Sequence, residues 1–485
     1  MTKSTDRFNI VFIVADQWRG DCLGLLDGPQ PVMTPHVNQL AAEGVRFTQA
    51  YADCPLCMPQ RATMLTGQYA SRFGLPYNFW PDHRTPVAPA TGLPGRLTRE
   101  AGYQTKAIGK MHFYPDRARL GFEHIVLHPN DYVNWLEDQG FGGMYRGHGL
   151  GGNEVYPAVS AVPERFSHTH WIVDESIKFL SQRDPDQPFF LWMIFEAPHS
   201  PFDPPEPYDR MYDHFTIPEP VYADWYDRAD APPVFQKIRL SHKLDQLNEE
   251  IIREIRRRYY GQITHVDYQL GRFLGELQNK NLYDDTVIVF TSDHGEHLGD
   301  HGLFAKSTFL RGSADVPLIV RFPPDFPIVR PALEIDTPVL TADICPTLLS
   351  LAQLEPGPDV DGVSLLPAVQ SGQAPDGRVI FGESVLSAFA TDGRYKYIYY
   401  PEGGIEQLFD LAHDAYDLTN LAAMDQHQAI RAQLREKLID HLSRFNRPMV
   451  DNGDLICLEP HIDEAALRAQ NPMAWRGPLR YGQGY

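Results

Sequence analysis

Four short apolar runs constrain this chain most, because each ends in a residue suited to hold a cation or move a proton. Residues 10–14 run out at Asp16, with Gln17 after it. Residues 103–108 are followed by Gly109-Lys110-Met111-His112, and residues 189–195 by Glu196-Ala197-Pro198-His199. Residues 286–290 lead into Ser292-Asp293-His294-Gly295. Continuous runs of β-branched and aromatic residues read as strands buried on both faces of a parallel sheet. Helical patterns fall between them, which predicts an α/β fold with a mostly parallel sheet flanked by helices. Ligands gather at the carboxyl ends of such strands, so the four segments are expected to meet at one sheet edge.

Further elements follow from periodicity and from breakers. Residues 33–47 read as a helix started at Thr34-Pro35 and stopped at Gly44, and 93–101 as a helix stopped at Gly102. Residues 248–277 carry an apolar stripe of helical spacing. Residues 316–322 read as a fifth strand, and 340–351 as a helix with Pro346 inside it. Residues 114–170 are rich in Gly, His and aromatics and are expected to be long loops over a site; 200–245 are Pro- and Asp-rich and expected to be irregular. After Asp361-Gly362 the pattern changes. Residues 370–377 (QSGQAPDG) read as a linker, followed by strands at 378–382 and 394–400 and a helix at 427–445. The expected organisation is a catalytic unit over 1–370 and a smaller α+β unit over 371–485. The weakly periodic tail from 446 would wrap the main unit or a neighbouring subunit of a homo-oligomer.

Composition removes several function classes. With 43 basic and 63 acidic residues the net charge is −20, which argues against nucleic acid as partner. An anionic substrate would need local cations to overcome that charge. Five scattered cysteines do not make a disulfide framework. The apolar run at 8–15 is short for a signal segment and passes straight into Asp16, and no stretch approaches a membrane span. A cytoplasmic enzyme is the expectation.

The stretch 51–69, YADCPLCMPQRATMLTGQY, sets a thiol, Cys57, just before a proline suited to a first helical turn, with Arg61 one turn on. A helix start favours negative charge, a good place for a nucleophile that meets an anion. Read alone, Cys57 could equally be a small packed hydrophobe, or half of a Cys54-x-x-Cys57 redox or metal pair. Taken singly, an Asp at a strand end is usually a turn or cap residue, and an isolated His or Lys a surface one. Their joint placement is what argues for a site.

Cys57-x-Pro59-x-Arg61 followed by Leu65-Thr66-Gly67 resembles the signature of the type I sulfatases, in the alkaline-phosphatase-like superfamily. Gln60 stands where that family most often has Ser, and Met58 is a less usual neighbour. ADQ at 15–17 and SDHGEHLGDHG at 292–302 resemble the family's two metal motifs, with Gln17 where many members carry a second acid. The helix at 259–277, the strand around Lys396 and residues 406–422 resemble further family segments. The resemblance implies that Cys57 is converted to formylglycine (3-oxoalanine) by a formylglycine-generating maturation enzyme. It implies one divalent cation held by Asp16, Gln17, residue 57, Asp293 and His294. Oxygen-rich ligands favour Ca²⁺, with Mg²⁺ or Mn²⁺ as alternatives. Lys110, His112, His199 and Lys306 resemble the family's sulfate-handling residues, Arg61 would brace the formylglycine, and Asn78 would touch substrate. In the implied reaction His199 protonates the leaving alcohol and His112 deprotonates the remaining hydroxyl to release sulfate.

The implied activity is hydrolysis of a small-molecule sulfate monoester. The nearest rival is a phosphonate monoester or phosphodiester hydrolase with the same nucleophile. Those relatives tend to have Tyr and Thr at Lys110 and His112, although DQWRGD at 16–21 resembles their branch. A thiol redox protein using Cys54 and Cys57 leaves the strand-end residues without a role. Phe79, Trp80 and the 114–170 region are the candidates for a leaving-group pocket.

Overall fold

The computed structural model describes residues 7–25, 30–74, 77–78, 85–226, 228, 231–327, 331–372 and 377–470. Eight strands form the central sheet: β1 (Asn9–Ala15), β2 (Val45–Tyr51), β3 (Gln104–Gly109), β4 (His124–Leu127), β5 (Phe189–Phe195), β6 (Thr286–Ser292), β7 (Leu318–Arg321) and β8 (Leu333–Leu340). Their spatial order is β4-β3-β5-β1-β6-β7-β2-β8, and only β7 runs antiparallel to its neighbours. β1 lies between β5 and β6, with Ala15 opposite Phe195 and Ser292. Alternate residues of β1 enter two cores, Val11 and Ile13 on one face and Ile10, Phe12 and Val14 on the other. Burial on both faces explains why this strand is apolar throughout.

The helix over Glu249–Asn279 begins where Asn248 accepts from the Ile251 N–H, and it lays Ile255, Tyr259, Ile263, Val266 and Leu270 into the first core. Three expectations are corrected. The helix near 33–47 is only Pro35–Glu43, and residues 45–51 form β2. Gly44 ends the helix against β7, where a Cβ would stand 2.3 Å from the Val320 carbonyl oxygen. The second correction is β8, an edge strand with Pro338 inside it, which the sequence reading left out. Proline is tolerated at such an edge; the following helix, Ile344–Leu351, keeps Pro346 in its first turn. Third, residues 114–170 are not all loop: they contain β4 and the helix Asn130–Asp138, and the helix His168–Gln182 begins there.

A second, antiparallel sheet follows, made of β9 (Ile380–Glu383), β10 (Ala388–Thr391), β11 (Tyr395–Tyr400) and β12 (Ile405–Asp410), in the order β12-β11-β10-β9. Phe389, Ile398, Tyr400 and Phe409 join the first core of the main unit. Ala388, Ala390, Tyr397, Tyr399 and Leu408 instead pack with Leu434, Leu438 and Leu442 of the helix Gln428–Arg444. The tail returns to the main unit, where Arg468 pairs with Asp245 at 2.8 Å. The linker expected at 370–377 and the pocket candidates Phe79 and Trp80 fall wholly or partly outside the described residues. Among the described residues no helix is long and apolar enough to cross a membrane.

Candidate active site

The strands that end in Lys110, Glu196, Asp16 and Asp293 are β3, β5, β1 and β6, four consecutive parallel neighbours. Their carboxyl ends deliver all of the strand-end residues to one edge. The helix Cys57–Thr66 points its first residue at that edge, entered from an extended Leu56 and closed by Gly67 in the left-handed region. Asn78 Oδ1 accepts from the Met58 N–H at 2.9 Å, so Asn78 satisfies a free donor of that first turn. Gln60 is fully buried; its carbonyl accepts from the Cys54 N–H at 3.0 Å and its amide donates to the Thr341 hydroxyl.

Arg61 organises the centre. Its Nε donates to Asp293 Oδ2 and its Nη2 to Asp16 Oδ2, both at 2.9 Å, and its Nη1 reaches the Lys110 carbonyl. Lys110 Nζ takes the same Asp16 oxygen at 2.7 Å. The other oxygen of each carboxylate is thereby left toward His294, whose Nε2 lies 3.5 Å from Asp16 Oδ1 and 3.7 Å from Asp293 Oδ1. His294 Nδ1 donates to the Gly295 carbonyl at 3.0 Å, which turns the Nε2 lone pair inward. Cys57 Sγ closes the group, 3.1 Å from His294 Nε2 and 3.9 Å from Asp16 Oδ1. One donor atom from each of the four lies within 4.8 Å of the others. Two carboxylate oxygens and an imidazole nitrogen in a fully buried pocket fit a divalent cation. Gly295 allows the bend behind them, since a Cβ there would stand 2.1 Å from the Gly312 carbonyl oxygen.

Lys306 arrives from the loop after β6 and donates to Gln17 Oε1 at 2.6 Å, with His199 Nε2 at 2.7 Å. His199 Nδ1 is committed to the Ser200 carbonyl at 2.7 Å, so its Nε2 is the acceptor toward Lys306. Gln17 also donates through its amide to Glu296, and its backbone N–H reaches Asp293 Oδ1 at 3.1 Å. Gln17 and His112 both occupy the left-handed region, at φ 72° and 58°. Non-glycine residues rarely sit there, and such strain clusters at functional sites.

The electrostatics favour an anion at residue 57. Burial opposes the Cys57 thiolate, but Lys306, His294 and a hydrogen bond with His112 outweigh it and hold the thiol well below its ordinary value. Burial and the Cys57 charge push Asp16 up; Lys110 and Arg61 overcome them and keep it ionised. Burial and the neighbouring Asp16 charge push Asp293 upward. Burial, then Lys110 and Lys306, push His199 down to about 4. The resting imidazole is therefore neutral, with the Lys306 ammonium beside its Nε2.

Asp16, Gln17, Cys57, Arg61, Lys110, His112, His199, Asp293, His294 and Lys306 thus form one buried cluster, with Asn78 behind the helix start. The sequence reading missed Glu296, which orients Gln17, and Tyr259, whose hydroxyl donates to the Gln17 carbonyl at 2.7 Å. It also gave Glu196 no role, although that residue follows β5 directly and lies 3.7 Å from Lys110 Nζ. Its place at a strand end was the available signal.

The family profile "Sulfatase" matches residues 8–354, and "N-sulphoglucosamine sulphohydrolase, C-terminal" matches residues 299–444. The chain is 33% identical to an arylsulfatase of Clostridium perfringens, over 92% of this chain and 97% of the relative. It is 32% identical to a choline-sulfatase of Rhizobium meliloti, over 86% of this chain and 83% of that one. Among solved structures it is similar to a phosphonate monoester hydrolase of Agrobacterium radiobacter. That likeness has a TM-score of 0.73 and 29% identity, over 90% of this chain and 96% of the other.

Proposed function

Because the chain belongs to the sulfatase family and is a sulfuric ester hydrolase, we propose that it cleaves small sulfate monoesters using a formylglycine at position 57 and one divalent cation. The observation that carries this reading is the convergence of Cys57, Arg61, two carboxylates, His294 and the Lys110 and Lys306 ammoniums in one pocket. Cys57 Sγ marks where the hydrated aldehyde's oxygens would stand. When present, that group supplies an oxygen nucleophile together with a second hydroxyl that permits release. Asp16, Asp293 and His294 would hold the cation, which would favour the ionised nucleophile and polarise sulfate oxygens. Gln17 adds a carbonyl oxygen, although Lys306 holds it at 2.6 Å here. The oxygen-rich set favours Ca²⁺.

The protein's own groups do the rest. Lys110 and Lys306 place positive charge on the sulfate in a chain whose net charge is −20. Lys306 donates to His199, and the pair delivers a proton to the leaving oxygen. His112, hydrogen-bonded at residue 57, takes the proton that frees the product. Arg61 fixes both carboxylates. The maturation partner is a formylglycine-generating enzyme, and the five free thiols suit a cytoplasmic setting.

A leaving-group series tests the assignment. Wild type is expected to release inorganic sulfate from both aryl and alkyl sulfates. His199→Asn is expected to lose little on a nitrophenyl sulfate but about 10²–10⁴-fold in kcat on an alkyl sulfate, where the departing alkoxide needs its proton. Equal losses across the series would remove His199 from the leaving-group role, and no sulfate release from any ester would sink the reading.

Two observations favour the phosphonate alternative, the DQWRGD stretch at 16–21 and the likeness to the phosphonate monoester hydrolase. Lys110 and His112 weigh toward sulfate, since the phosphonate hydrolases that this chain resembles tend to have Tyr and Thr at those two positions.

A further inference from the structure

A second group of ligand-type side chains is buried beside the catalytic cluster. His128 follows β4, Glu196 follows β5, and His168 opens the helix His168–Gln182. One donor atom from each lies within 4.8 Å of the others. Glu196 divides its oxygens. Oε1 takes Arg146 at 2.7 Å and faces Lys110 at 3.7 Å, whereas Oε2 accepts from the Tyr145 hydroxyl at 2.6 Å and lies 3.5 Å from His128 Nε2.

His128 is the anomaly. It is 3% exposed, and among the described residues neither of its ring nitrogens makes a hydrogen bond. The Glu196 oxygen 3.5 Å from Nε2 is an ion-pair contact and not a hydrogen bond, and burying both nitrogens without one is costly. The ring is held by Tyr132, Tyr145 and His168, with centroids at 5.3, 5.4 and 4.9 Å, so it cannot turn to find water without displacing them. A cavity of about 20 Å³, lined in part by Tyr145, Ser167, His168, Ala197 and Asp203 but by neither His128 nor Glu196, has room for one water beside the cluster.

We propose that His128, His168 and Glu196 form a second metal site, which takes a borderline transition cation of the zinc type through two imidazoles and one carboxylate, with water as fourth ligand. The donor chemistry selects the ion: two nitrogens and one oxygen suit Zn²⁺, whereas the oxygen-rich catalytic set suits a harder cation. Burial pushes both imidazoles below their ordinary values, which keeps their lone pairs free at neutral pH. Arg146 and Tyr145 orient the carboxylate as outer partners do at such centres. The positive charges of Arg146 and Lys110 oppose the cation, so its affinity should be weaker than that of a closed thiolate site. Through Glu196 and Lys110 the site touches Asp16, which gives an ion there a path to the catalytic centre.

The test uses full-length protein carrying Cys57→Ala and His294→Ala, which removes the thiol and imidazole of the catalytic cluster. After chelator treatment and dialysis against micromolar zinc, bound metal is counted by plasma mass spectrometry. One equivalent is expected, and adding His168→Gln should remove it. His168 is half-buried at a helix start, so this variant is expected to keep the cooperative melt of its parent in chelator, and the melt should rise with zinc only in the parent. Cobalt in place of zinc should give visible absorption bands that are lost with His168→Gln. Retention of the equivalent in the His168→Gln protein, or no uptake by its parent, would overturn the proposal.

Discussion

Cys57→Ala is expected to lower steady-state turnover of any sulfate ester by about 10⁴-fold or more, because it removes the proposed nucleophile around which the other groups are arranged. Cys57→Ser is the more informative variant. Its hydroxyl occupies the same position, 3.1 Å from His294 Nε2 in the thiol form, and keeps Lys110, His112, His199 and Lys306 around it. It can accept one sulfate from an aryl ester, yet it lacks the second hydroxyl through which the bound sulfate would be expelled. The expected trace is a burst of about one equivalent of phenolate followed by a stall, read by stopped-flow absorbance. Continuous turnover by Cys57→Ser at the wild-type rate would mean that a second hydroxyl is not required.

Arg61→Leu should do the largest structural damage of any single change at the site. The guanidinium is fully buried and pairs with Asp16 at 2.9 Å and Asp293 at 2.8 Å, both also fully buried. Removing it leaves two adjacent carboxylates with one fewer cation between them, a situation that costs about 3–5 kcal/mol. Activity should fall with it, because Asp16 and Asp293 lose the contacts that turn their second oxygens toward His294. Lysine cannot replace it, since a single ammonium cannot span two carboxylates and the Lys110 carbonyl together. A divalent cation should partly restore the melting temperature of Arg61→Leu by neutralising the same pair, whereas chelator should lower it further. Unfolding and turnover both within twofold of wild type would show that the carboxylates do not depend on Arg61.

Much of this site was legible because the fold forces it. A strand buried on both faces must be apolar throughout, so the first polar residues after 10–14, 189–195 and 286–290 marked where the chain leaves the sheet. Asp16, Asp293 and His294 stood out for that reason, whereas His199, three residues past Glu196, stood out through its resemblance to the family's sulfate-handling residues. What stayed hidden depends on partners distant in sequence. Residues 45–47 fell inside the segment read as a helix, and only the pairing of Val45–Tyr51 with β7 and β8 makes it a strand. Leu333–Leu340 carries a proline that argues against a strand until its edge position is known. Glu296 looked like one more polar residue in a metal-type motif, and its contact with Gln17 joins residues 279 apart in sequence. Glu196 had only its place at a strand end and His128 carried no motif; the sheet order β4-β3-β5 brings them together.

The most direct test of the account is paired turnover of a nitrophenyl sulfate and a nitrophenyl phosphonate monoester by protein matured with a formylglycine-generating enzyme, with Cys57→Ala as blank. The account predicts a clear kcat/KM preference for the sulfate, lost in the blank, with Lys110 and His112 serving the transferred group. A preference for the phosphonate, equally lost in the blank, would contradict it and assign the same buried cluster to phosphonate ester hydrolysis.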